Sequence, residues 1–252
     1  MPLIPFYFQK KAFKLKYLFF RYILKPTKPV KSVYGVYLTP ALKDTTFMYC
    51  YKGTYGLFLH DFLSDISCDT TFIDIGANQG LYSILAGKNK SIKKIIAFEP
   101  SKKTAQLLRN NIAVNEIKNC TVVEKGVSSK SGFLNLHVTD GHSGKNNFRT
   151  TEENHSNSAE LVETVNHQEI EKLTKEDTNY VIKIDVEGHE EVVIDELTKC
   201  SFIHRVSAIF CEIDTDWVDV NKIKQKLSDV GFSTFQKIGK GDLHYDLLIL
   251  KD

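Results

Sequence analysis

A chain of 252 residues with 42% hydrophobic and 25% charged side chains is long enough to bury a full core and has the composition of an ordinary soluble globular protein. Its five cysteines (Cys50, Cys68, Cys120, Cys200 and Cys211) are dispersed, odd in number and without a C-x-x-C pair. That excludes a disulfide framework or a cysteine zinc site and points to free thiols in a reducing, cytoplasmic compartment.

Net charge is +2, yet residues 1–43 hold nine Lys and Arg and no acid, so residues 44–252 carry −7. A negative body argues against a polyanionic substrate. Aromatic and aliphatic residues such as Phe13, Tyr17, Phe19, Tyr22 and Leu24 interleave the basic ones. The uncharged runs are too short to span a bilayer, and no small-residue cleavage site suggests a secretory signal. Three readings of residues 1–31 stay open. They form a helix docked on the domain or on a second subunit, a peripheral contact of residues 1–30 with the inner face of an anionic membrane, or an arm along a nucleic-acid backbone.

Pro26, Pro29 and Pro40 break the next region, so residues 26–31 read as a linker. Residues 32–38 and 46–51 alternate enough for short strands, and Gly53 and Gly56 mark a turn before a helix over 57–63.

The segment TFIDIGANQG (71–80) is an apolar strand ending in Asp74, followed by a glycine-rich turn and a helix over 81–87. This is the first strand-turn-helix of a doubly wound α/β domain, whose ligands bind beyond the carboxyl ends of the strands. The spacing D-x-G-x-x-x-G differs from the dinucleotide G-x-G-x-x-G and sets an acid beside the loop. That acid repels a pyrophosphate and attracts the ammonium of S-adenosylmethionine (SAM). The second strand, KKIIAFEP (93–100), ends in Glu99, a carboxylate able to accept from both hydroxyls of an adenosine ribose. The plain alternative is a strand-end aspartate capping the next helix and an exposed glutamate.

Further strands are expected at 120–124, 180–185 and 206–213, with helices over 101–115, 188–199 and 218–230. Segments 233–238 and 244–250 form a closing hairpin. The pattern predicts a doubly wound, mostly parallel seven-stranded sheet with a C-terminal antiparallel hairpin strand. Residues 139–160 are polar, with few apolar anchors, and read as a rim loop or substrate lid carrying His142.

The second chemical cluster is YVIKIDVEGHEE (180–191), which brings Asp185, Glu187, Gly188 and His189 to the edge where Asp74 and Glu99 converge. Glu212 reaches it from the next strand. His189 or a carboxylate can serve as general base toward an acceptor hydroxyl. Glu190 and Glu191 read as charge for the start of the following helix. Carboxylates with His189 are hard-cation ligands, but no established metal-ligand spacing is present, so no metal is expected. The remaining histidines, His244 among them, read as surface or packing residues.

FIDIGANQGLYS, AFEPS and IKIDVEGHE, in this order, resemble the FkbM-type family of SAM-dependent methyltransferases from about Gly53 onward. The resemblance implies a Rossmann-like class I methyltransferase domain over 32–252 behind a basic segment 1–31. It also implies O-methylation of a sugar or glycan hydroxyl or a related metabolite. By motif, Asp74, Gly76, Ala77, Asn78 and Gly80 would line the methionine side of SAM. Glu99 would hold the ribose and Val127 would lie near the adenine. Asp185, Glu187 and His189 would face the methyl and the acceptor. A Leu-Asp pair frequent in the family before IKIDVEG is replaced here by TVNHQEI (164–170), which leaves the substrate class open. Other readings are a nucleic-acid methyltransferase using the basic arm and an inactive SAM-fold binding subunit. A homo-oligomer is compatible with all of them.

Overall fold

The computed structural model describes residues 6–55, 57–149, 158–174 and 178–251. A seven-stranded sheet forms its centre, built from β3 (Thr70–Ile75), β4 (Ile92–Phe98), β5 (Cys120–Val123), β9 (Asn179–Ile184), β10 (Val206–Asp214), β11 (Thr234–Ile238) and β12 (His244–Leu250). The spatial order is β11-β12-β10-β9-β3-β4-β5, and only β12 runs against its neighbours β10 and β11. Strand order reverses between β3 and β9, so the crevice expected for a ligand opens beyond Ile75 and Ile184.

β3 is buried at all six positions, as a central parallel strand must be. Its period of two sends Ile73 and Ile75 to one face, where they pack with Val193 and Leu197 of α7 (Glu190–Thr198) and Ile223 and Leu227 of α8 (Val220–Asp229). Phe72 points to the other face, toward Leu63 of α3 (Phe58–Asp65) and Ala86 of α4 (Leu81–Gly87). Leu108 and Ile112 of α5 (Lys102–Val114) and Leu81 and Ile84 of α4 extend that second layer. Helices thus cover both faces of the sheet.

Residues 46–51, expected as a strand, are instead helical within α2 (Thr45–Lys52). The Asp44 carboxylate accepts from the Thr46 amide at 2.8 Å and caps the first turn, and Gly53 closes the last at φ 75°. Burial at Thr46, Phe47, Cys50 and Tyr51 follows the helical period. Of residues 32–38 only β2 (Tyr37–Leu38) pairs, with β1 (Val30–Lys31). The basic segment forms α1 (Phe6–Phe19) and a π-helical turn, Phe20–Leu24. Tyr17 and Phe20 are buried against α2, and the Tyr17 hydroxyl donates to the Leu42 carbonyl at 3.1 Å. Each such ring contributes about 1.5–3 kcal/mol of transfer free energy, enough to hold the helix on the domain.

A second sheet, β6 (Gly126–Val127), β7 (Gly132–Val138) and β8 (Ser158–Val165), was not legible as such. Of the alternating Leu134, Leu136 and Val138 of β7 only Leu136 is fully buried, and Phe133 and Leu134 stay exposed. β8 occupies the end of the expected rim loop, and a 3₁₀ turn (Ser143–Lys145) lies within it; 150–157 fall outside the described residues. Helix α6 (His167–Leu173), capped by Asn166, fills the stretch before β9.

Candidate active site

The reversal of strand order places the glycine turn after β3 directly against the end of β9. Gly76 adopts φ +78°, and a Cβ there would lie 1.8 Å from the Asp185 carbonyl oxygen, so only glycine lets the two segments approach. The amides of Gly76 and Ala77 donate to the Phe98 carbonyl at 3.0 and 2.9 Å, which pins the turn to the end of β4. Asn78, at φ 48°, then aims its amide at Glu99 Oε2 (3.0 Å), while the Ser101 amide donates to Glu99 Oε1 (2.9 Å). Each carboxylate oxygen holds one backbone donor and keeps lone-pair capacity for another. Burial pushes Glu99 up to about 7, against the pull of those two amides.

A cavity of about 410 Å³ opens here. Gly76, Asn78, Glu99 and Val127 stand on its wall, with Asp185, Val186, Glu187, Glu212, Asp214 and His244 across from them. Tyr49, Tyr55, Phe148 and Trp217 supply an aromatic rim, and His142 meets Tyr49 edge-on at 5.7 Å. Burial, then the Lys145 charge, lowers the His142 pKa and favours the neutral ring.

The acidic side is crowded. Asp185, Glu187 and Glu212 each bring a carboxylate oxygen within 4.8 Å of the others, separations that suit a bound cation. Glu187 holds a left-handed backbone (φ 52°), and burial, then the charges of Asp185 and Glu190, raise it to about 8. Glu212 is pushed far up by burial and by Asp185, whereas Asp185 is held down, against its own burial, by Lys183. The Lys183 ammonium lies 3.1 Å from Asp185 and 3.4 Å from Asp74, and donates to the Gly76 carbonyl at 2.8 Å. His244 Nε2 pairs with Glu212 at 2.8 Å.

Two of the expected residues, Asp74 and His189, sit off the cavity wall. Asp74 is fully buried, accepts from the Ser83 hydroxyl at 2.7 Å and pairs with Lys183; it does not reach the cavity wall. The residue opposite it across β3 and β9 is Lys183, so register turns the carboxylate inward to that ammonium rather than toward a ligand. His189 also lies off the wall. Its Nε2 faces the Ser128 hydroxyl at 3.1 Å, its ring rests on Phe148 at 5.3 Å, and burial lowers its pKa. Ala77 packs in the core beneath the turn, and Gly80 starts α4 where a Cβ would meet Leu108 at 2.2 Å. Glu190 accepts from the Gly188 amide (3.0 Å) and the Val186 amide (3.2 Å), fixing the turn that carries Glu187.

Lys183, Tyr49, Trp217 and His244 escaped the sequence reading. His244 had a usable signal: hairpin register sets it opposite Asp214, and sets Asp246 opposite Glu212.

The residues on the wall fit SAM. A buried acid with two spare acceptor sites suits the ribose, apolar Val127 and Phe98 suit a purine, and the carboxylate cluster suits a cationic centre. The family model described as the methyltransferase FkbM domain matches residues 74–234. Methyltransferase sdnD of Sordaria araneosa is 25% identical over 148 residues, covering 58% of this chain and 55% of its own length, so the chain spans about half of that relative. Among solved structures, precorrin-6y C5,15-methyltransferase from Geobacter metallireducens GS-15 is similar, at 16% identity and TM-score 0.46 over 77% of this chain and 86% of that one. The TYW2 protein of M. jannaschii in complex with AdoMet has 11% identity and TM-score 0.46 over 86% and 81%. With the family model spanning well over half of its length, the chain belongs to the FkbM family of SAM-dependent methyltransferases.

Proposed function

We propose that the protein transfers a methyl group from SAM to a hydroxyl of a sugar, glycan or related metabolite. The observation that carries this reading is the cluster of Asp185, Glu187 and Glu212 on the same cavity as Glu99, beneath an aromatic rim. When bound, SAM supplies an electrophilic methyl on a sulfonium. Glu99 holds the ribose hydroxyls with its two oxygens, each already oriented by a backbone amide. Asn78 and the Gly76 turn, fixed through Lys183, shape the floor beneath the methionine end.

The acceptor hydroxyl enters from the side of Trp217 and Tyr49; the Arg149 guanidinium lies on the Trp217 ring, 3.0 Å from its centroid, and Tyr49 offers an aromatic surface to the apolar face of a sugar. With SAM bound, the acceptor oxygen would take the methyl as the carbon–sulfur bond breaks, and Glu187 would accept the hydroxyl proton. A carboxylate raised to about 8 is a base matched to neutral pH. Asp185 stays ionised beside Lys183 and orients the acceptor. Holding the acceptor oxygen close to the donor would supply most of the acceleration.

The test is transfer of labelled methyl from SAM to separate pools of oligosaccharide, lipid and RNA. Base-stable label in the oligosaccharide pool, absent in Glu187→Gln, is the expected result. Label confined to RNA would refute the acceptor class, and SAM binding without label in any pool would favour a binding subunit.

A further inference from the structure

Helix α1 has two different faces. Phe13, Tyr17 and Phe20 turn inward, with the Phe13 and Phe20 rings 5.2 and 5.8 Å from that of Tyr51 on α2. The opposite face carries Leu15, Leu18, Phe19 and Tyr22 at i, i+3, i+4 and i+7, followed by Ile23 and Leu24. All six are exposed, Leu15 by 71%, Tyr22 by 66% and Ile23 by 70%. Scattered exposed apolar residues need no explanation, but a contiguous run on one helical face does. Lys11, Lys14, Arg21 and Lys25 are exposed around this run, in a stretch of 43 residues that holds no acid.

We propose that this face of α1 and its π-helical turn lies in the interface of an anionic lipid bilayer. The apolar run enters the boundary between headgroups and acyl chains while the lysines and arginine meet the lipid phosphates. Among the described residues no helix is long and apolar enough to cross a membrane, so the helix lies along the surface. A second copy is the poorer occupant, because it would bring two acid-free segments of +9 face to face. Nucleic acid matches the charge but gives Leu15, Leu18 and Ile23 nothing apolar to enter.

Helix α2 touches both elements: Phe47 and Tyr51 pack under α1, and Tyr49 stands on the cavity wall. Helix α2 thus connects the inner face of α1 to the cavity wall. Membrane attachment itself does not depend on the acceptor class.

The test is co-sedimentation of the full chain with vesicles of phosphatidylcholine alone or mixed with phosphatidylglycerol. The protein should sediment with the anionic vesicles only and detach at high salt. Leu15→Glu/Leu18→Glu/Tyr22→Glu should abolish sedimentation, and Lys14→Gln/Lys25→Gln should weaken it about 30-fold, at roughly a factor of five per cation. Both variants alter exposed side chains and should retain the wild-type thermal midpoint. Failure to bind anionic vesicles, or binding that both variants leave intact, overturns the proposal. So does a dimer in sedimentation equilibrium that the triple variant dissociates in the absence of any vesicle binding.

Discussion

Replacing Lys183 with methionine removes the cation that joins the glycine turn, Asp74 and Asp185 at the centre of the sheet. Its ammonium donates to the Gly76 carbonyl at 2.8 Å and lies 3.1 and 3.4 Å from the two carboxylates, with 8% of the side chain exposed. Methionine fills the volume but strands Asp74, which keeps the Ser83 hydroxyl as its hydrogen-bond donor among the described residues. Removing one partner of a buried pair costs about 3–5 kcal/mol, a large share of the ~5–15 kcal/mol that stabilises a typical protein. With a urea m-value of about 3 kcal/mol/M, the midpoint should fall by roughly 1–1.7 M with the slope unchanged. Asp74→Asn in the Lys183→Met background removes the stranded charge and should restore part of the loss, for a coupling of about 1–3 kcal/mol. Urea unfolding followed by circular dichroism measures Lys183→Met, Asp74→Asn and the double variant against the wild type. A loss below about 1 kcal/mol, or strictly additive effects, would refute the claim that this lysine anchors the turn.

Glu99→Gln places an amide against two backbone donors and should weaken SAM binding about 10- to 100-fold in calorimetry, the worth of a charged hydrogen bond. Glu187→Gln should keep SAM affinity within a few-fold and lower kcat about 10²- to 10⁴-fold; it should also remove an acid limb near pH 8 from the kcat/KM profile. Gly76→Ala drives a Cβ to 1.8 Å from the Asp185 carbonyl and should leave little soluble protein, seen on expression and by circular dichroism. The cofactor-free protein should lose stability as pH rises. Glu99 and Glu190 at about 7 and Glu187 at about 8 bind protons more tightly folded than unfolded, so their contribution is full below about pH 4.5 and fades through pH 7 to 8. A higher thermal midpoint at pH 8.5 than at pH 5.5 would contradict that sign.

The sheet was readable because β3, β4, β9 and β10 are short apolar runs between turn residues, and buried parallel strands leave that trace. Glu99 was readable too, since a strand end fixes where its carboxylate points. Asp74 was not, because its direction depends on which residue of β9 lies beside it, and the sequence of β3 contains no record of Lys183. His189 sits one residue before α7, where the turn sets the ring against Ser128 and the wall residue Phe148, off the wall itself. The Tyr49 position was hidden by reading 46–51 as a strand, although Asp44 and Gly53 were the two caps of a helix. Trp217 lies just beyond β10, in a short connection whose path no local pattern specifies.

The most direct measurement is a calorimetric titration of the purified chain with SAM, with NADH in parallel and Glu99→Gln as the variant. Micromolar SAM binding, weakened in the variant and absent for NADH, is the predicted result. No SAM binding by the wild type, or NADH binding of equal strength, would contradict the account of this cavity.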